Sequence, residues 1–194
     1  MSFFKKLFSK APSKEEEAKE QEVELSLDDA FVHHFINKGG KFLYCISTKE
    51  IEHNLTRIID ENNWSEVVCL DSKIAKFIKN SKAKATIEYN NNLPFLTTCE
   101  HLISDNGDIL FSSNQIGSEK LAQMSKDFIV FAKTSQLVKD TGQGLTGIKT
   151  NAKKNIPTNI SAVKNYQDNS ASDDFLSYGN SNTKNLYLLL LEDF

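Results

Sequence analysis

A carboxylate, an amide and a glycine stand side by side in Ser104-Asp105-Asn106-Gly107, between the apolar runs 97–104 and 108–112. Asn-Gly in that setting predicts a hairpin with Asp105 at its tip, where a carboxylate can serve as nucleophile or base. Asp and Asn also favour such turns for their own backbone bonding, so on spacing alone turn chemistry is the simpler account of the pair. Further on, Asn155-Ile156-Pro157-Thr158-Asn159-Ile160-Ser161 offers hydroxyls, an amide and backbone N–H groups to an anion, or caps a short helix. The candidate site is therefore Asp105 as catalytic carboxylate, with Asn106, Gly107, Pro157, Thr158, Asn159 and Ser161 as contacts to a small anionic ligand.

The remaining motifs point away from chemistry. Gly142-Gln143-Gly144-Leu145-Thr146-Gly147 has the spacing of a dinucleotide fingerprint, but the preceding strand ends near Lys133 and no acidic residue closes a following strand about 20 positions on. A helix start loosened by glycine explains it. Cys99 and His101 share one strand face, yet no third group orients the imidazole as an activated thiol requires. His33-His34 and His53 have no ligand partner at helical spacing, so no metal site is expected. The three cysteines, 45, 69 and 99, include no C-x-x-C pair, which excludes a disulfide scaffold and a cluster carried by this chain alone and suits a reducing cytoplasm. No cofactor is expected.

Those residues must be positioned by elements that alternate along the chain. Ser26 caps an apolar helical period through Phe31, Phe35 and Ile36 that stops at Gly39-Gly40. Strand-like runs follow at 41–46, 66–70, 85–89, 97–104, 108–112, 127–133 and 185–191, and helical periods at 48–62, 71–78, 117–124 and through Ile148. Strands separated by helices predict an open, mostly parallel α/β sheet with helices on both faces. With 194 residues, such a domain buries about 70% of its unfolded surface. Residues 25–194 form that domain, interrupted by a long polar stretch at 164–184 that reads as a functional loop or as disorder.

Residues 1–24 differ in composition. Phe3, Phe4, Leu7 and Phe8 with Lys5, Lys6 and Lys10 resemble a short helix making weak membrane-surface contact, or a terminus packed on a protein; 11–24 is a charged tether. Hydrophobic residues make up 39% of the chain, charged ones 25%, and the formal charge is -3. Arg57 is the single arginine among 23 basic residues, so the forks that read phosphate and guanine are nearly absent and nucleic acid is not an expected partner. The longest apolar run, 186–191, falls far short of the roughly 20 residues a bilayer helix needs.

From about Thr98 to Leu191 the chain resembles the LUD domain, the lactate utilisation protein C family. The run 99–113 is similar to the family's acid, Thr or Asn, Gly hairpin; 128–136 to its next central strand; Ile156-Pro157-Thr158-Asn159-Ile160-Ser161 to its Gly-Pro-Ser type segment. The resemblance implies the fold of sugar-phosphate isomerases and CoA transferases, and the role of an accessory subunit in cytoplasmic oxidation of L-lactate to pyruvate. Its implied partners are iron-sulfur and oxidoreductase subunits. It also brings Asp105 near the glutamate nucleophile of a Ser-Glu-Asn-Gly turn, one methylene longer, which implies the alternative of a stand-alone acyl-CoA or sugar-phosphate type enzyme with Lys133 and Lys149 near phosphate. Asn180-Ser181-Asn182-Thr183-Lys184 stands where the family often has His-Gly-Pro.

Overall fold

Ser26 accepts a hydrogen bond from the Asp29 N–H and opens helix α1 (Leu27–Asn37), whose first turn carries Asp28 and Asp29 against the positive helix end. Its buried residues, Phe31 and Phe35, are four apart and so share one face. Gly39, at φ 89°, ends it in the left-handed region. Strand β1 (Lys41–Cys45) follows, then α2 (Thr48–Glu61), capped by Ser47 and burying Ile51, Leu55, Ile58 and Ile59. These belong to a computed structural model that describes residues 25–152, 156–166 and 182–193. The expected tail at 1–24 and most of the polar stretch 164–184 lie outside the described residues.

The chain then forms β2 (Glu66–Val68), a 3-10 turn at Ala75–Ile78, β3 (Lys84–Thr86), β4 (Phe95–Thr98), β5 (His101–Ile103), β6 (Asp108–Phe111), the short helix α3 (Ser113–Ile116), β7 (Asp127–Lys133), β8 (Leu137–Val138), α4 (Thr141–Asn151), β9 (Ser161–Val163) and β10 (Asn185–Leu191). Six strands in the order β1-β10-β7-β4-β2-β3 pair in parallel. The centre is β7 against β10, matched over seven residues from Asn185↔Asp127 to Leu191↔Lys133. The expected parallel α/β sheet is what forms.

Alternation along the central strands sends side chains to two separate cores. Ile129 and Leu189 join Val67 and Leu96 beneath Ile51, Leu55 and Ile59 of α2. Phe128, Val130, Leu186, Leu188 and Leu190 face the other way, against Phe31 and Phe35 of α1 and Leu102, Ile109 and Phe111 of a second sheet. That sheet, β8-β5-β6-β9, shares the second face with α1 rather than leaving it to helices alone.

It arises because the run 97–104 is not one strand. Gln136 donates to Cys99 O at 2.6 Å and Glu100 O at 3.2 Å, and the chain turns there, leaving β4 in the large sheet and β5 in the small one. Strands β8 and β9 have two and three residues, too few to show a period. The helix expected at 117–124 is instead α3, held by a Ser112/Gln115 capping box and stopped by Gly117 at φ 60°, followed by a 3-10 turn at Leu121–Gln123. The helical period expected at 71–78 shortens to the 3-10 turn Ala75–Ile78, and the strand at 85–89 to Lys84–Thr86.

Candidate functional site

In a parallel sheet all strands end at one edge, and the loops leaving that edge gather side chains where open α/β folds bind ligands. Here β7 leads into Thr134-Ser135-Gln136 and β10 into Glu192-Asp193, side by side because Leu191 is in register with Lys133. Asp193 Oδ1 accepts from Thr134 Oγ1 (2.8 Å) and Ser135 N (2.9 Å), and its Oδ2 from Ser135 Oγ (2.7 Å), with Lys133 Nζ at 3.5 Å. Partial burial pushes this carboxyl up, but the Ser135 hydroxyl and N–H, the Thr134 hydroxyl and the Lys133 ammonium together outweigh it and hold the group at about 2.

A carboxyl depressed in this way stabilises the fold above its unfolded value of about 3.9, and the contribution is lost as pH falls through about 2. Asp193→Asn is therefore expected to melt below wild type by a constant margin above about pH 5, and that margin narrows on acidification. Melting curves across pH 2–7 read it; a margin independent of pH would contradict the assignment.

One strand over, Glu100 forms a second hub. Its Oε1 accepts from Ser112 Oγ (2.6 Å), Asn114 Nδ2 (2.8 Å) and Gln115 Nε2 (3.1 Å). Gln136 joins the two hubs, since its Oε1 accepts from Lys133 N (2.8 Å) while its Nε2 reaches the Cys99 and Glu100 carbonyls. The edge is a continuous polar crest, flanked by the exposed apolar side chains Ile46 after β1 and Leu70 after β2.

The hairpin tip lies elsewhere. β5 leaves the C-terminal end of β4 and runs back, so Glu100, not Asp105, adjoins the parallel strand ends. The turn docks instead on α1: His34 Nδ1 lies 2.8 Å from Ser104 O, Lys38 pairs with the buried Asp108 at 2.8 Å, and Tyr166 OH donates to Gly107 O at 2.6 Å. Gly107, at φ 72°, lies so close to α1 that a Cβ there would run into the backbone of His34 and Phe35. Asn106 Oδ1 accepts from the Asp108 N–H at 3.0 Å. Asp105 is exposed, and its carboxylate has no hydrogen bond among the described residues.

Pro157, Thr158, Asn159 and Ser161 lie at the opposite end of β6, because Ser161 is in register with Phe111. Ser113 and Thr158 exchange two bonds, Ser113 N to Thr158 O at 2.8 Å and Thr158 N to Ser113 Oγ at 3.0 Å. Asn159, at φ 53°, donates to Gly117 O and Glu119 O. Four residues of β6 separate this segment from the Asp105 turn, roughly 13 Å of strand. The two halves of the expected site do not meet.

The profile of the LUD domain matches residues 29–191. The chain belongs to the LUD-domain family. A DUF162 family protein from Deinococcus radiodurans, solved as a crystal structure, superposes with a TM-score of 0.62 over 87% of this chain and 99% of that chain, at 13% identity, which shows a shared fold. No curated protein matches. The LUD family is linked to lactate utilisation.

In this LUD domain the motifs that resembled catalytic or nucleotide sites do structural work. Asp140 caps α4, and a Cβ on Gly144 would stand 2.9 Å from Leu110 Cδ1, so the glycine spacing lets the helix lie close on the small sheet. Cys99 is buried, and burial pushes its thiol far above the ordinary range, while His101 Nδ1 lies 3.2 Å from Gln136 O. Cys69 is also buried and pushed up to about 11. Among the described residues no group of three or more His, Cys, Asp or Glu could hold a metal ion, and no helix is long and apolar enough to cross a membrane. Sequence reasoning missed Glu100, Gln136 and Asp193. The one signal was the polar run Thr134-Ser135-Gln136 directly after the clearest strand, where loops of an open α/β sheet carry function.

Proposed function

We propose that this LUD domain is an accessory subunit of a cytoplasmic system oxidising L-lactate to pyruvate, working beside iron-sulfur and oxidoreductase chains that carry the electrons. One observation supports this reading above the others: at the C-terminal edge both oxygens of Asp193 and one oxygen of Glu100 are held by donors of the chain itself. These bonds stiffen a crest with the exposed apolar side chains Ile46 and Leu70 on either side, and we take that edge as the surface that meets a partner chain.

Gentle affinity purification of the full chain from its native cell is expected to bring down iron-sulfur oxidoreductase chains. The double substitution Ile46→Asp and Leu70→Asp is expected to weaken that capture at least tenfold, or about 1.4 kcal/mol. Recovery of this chain alone, in both forms, would overturn the reading.

A second reading rests on the exposed Asp105 carboxylate, which no group engages among the described residues. It makes the domain an acyl-CoA or sugar-phosphate type enzyme with Asp105 as nucleophile and a small anion bound nearby. Turnover of an acyl-CoA by the isolated chain, abolished in Asp105→Asn, is what it requires.

A further inference from the structure

Lys184 precedes β10 at the opposite edge of the sheet, where the parallel strands begin. It is only 2% exposed. Its Nζ donates to Met124 O at 3.0 Å and stands 5.2 Å from the centre of the Phe128 ring, and no carboxylate pairs with it among the described residues. An ammonium has three N–H donors, and among the described residues one of them has an acceptor. Burial first, then the nearby Lys126 ammonium, pushes this group down to about 8, so at neutral pH it remains a cation inside the protein.

An unpaired buried charge costs several kcal/mol, and an apolar side chain of similar length would serve the fold better. What sets this lysine apart is its surroundings. It lines a cavity of about 820 Å³ with Asn91, Asn92, Ser125, Lys126 and Thr183. These are hydrogen-bond donors, with amides and hydroxyls alongside two ammonium groups. The one carboxylate among the described lining residues, Asp127, accepts from Asn185 Nδ2 at 2.6 Å.

We propose that this cavity binds a small oxyanion, the carboxylate or phosphate group of a metabolite, with Lys184 as its counter-ion and Ser125, Thr183 and the Asn91 and Asn92 amides as further donors. The site is separate from the crest around Asp193, about 23 Å away along the seven residues of β10. Bound anion would supply Lys184 with a negative partner and offset the Lys126 charge that acts on it.

Calorimetric titration of the full chain with inorganic phosphate and, separately, with acetate tests this and distinguishes the two sources. At least one anion is expected to bind saturably at one site. Lys184→Met is expected to weaken it at least tenfold while melting at or above wild type, and Lys82→Met, at an exposed surface pair, to leave it unchanged. Absence of saturable binding by either anion, or equal affinity in Lys184→Met, would overturn the proposal. So would a Lys184→Met protein that melts below wild type, since the lysine would then be serving to hold Met124 in place.

Discussion

Alanine at Gly107 is expected to destabilise the protein by about 3–5 kcal/mol. Two effects add. The residue sits at φ 72°, which an L side chain adopts only with strain, and the new Cβ would stand 2.6 Å from Phe35 N and 2.8 Å from the His34 carbonyl carbon. Both neighbours are backbone of α1 and cannot swing aside, so the whole hairpin must lift. Lifting it disturbs the Tyr166 bond to Gly107 O and the Lys38–Asp108 pair, where Asp108 is buried. Urea unfolding measures the loss; a change under 1 kcal/mol would mean that the turn is not docked on α1.

Phe35→Ala is expected to cost a comparable amount, about 3–5 kcal/mol, through the cavity it leaves. The ring is fully buried, stacked on Phe31 with centroids 5.5 Å apart and tilted against Tyr166 at 4.5 Å. It also closes over Gly40, where any Cβ would run into the ring. The two glycines therefore respond differently to loss of the ring. Gly40→Ala becomes tolerable in the Phe35→Ala background, whereas Gly107→Ala does not, because its collision is with backbone. A double-mutant cycle at each glycine reads this as coupling at 40 and near-additivity at 107.

These two residues explain why half of the expected site was out of reach of sequence reasoning. Asp-Asn-Gly between apolar runs announced a turn, and the turn is there. Its direction was set by the break at Cys99-Glu100, where Gln136, 36 positions away, caps two carbonyls and sends β5 into a different sheet. No local period encodes a bond of that range. The same break moved Glu100, a spacer in the Cys99-x-His101 reading, to the C-terminal edge of the parallel sheet.

The elements with long, strong patterns were legible. The Ser26 cap, the Ile51-Leu55-Ile58 stripe, the apolar runs 127–133 and 185–191 and the family segments around them each followed from local chemistry: capping, amphipathic period and burial on both faces. They determined a parallel α/β sheet and the LUD membership. Tertiary structure alone decided which ends of those strands meet, because register between β7 and β10 puts Lys133 beside Leu191 and so brings Thr134, Ser135 and Asp193 together. It alone also left Lys184 as a buried cation with no carboxylate partner among the described residues, since burial and pairing depend on neighbours distant in the chain, and a lysine among polar residues looks solvated until the fold closes over it.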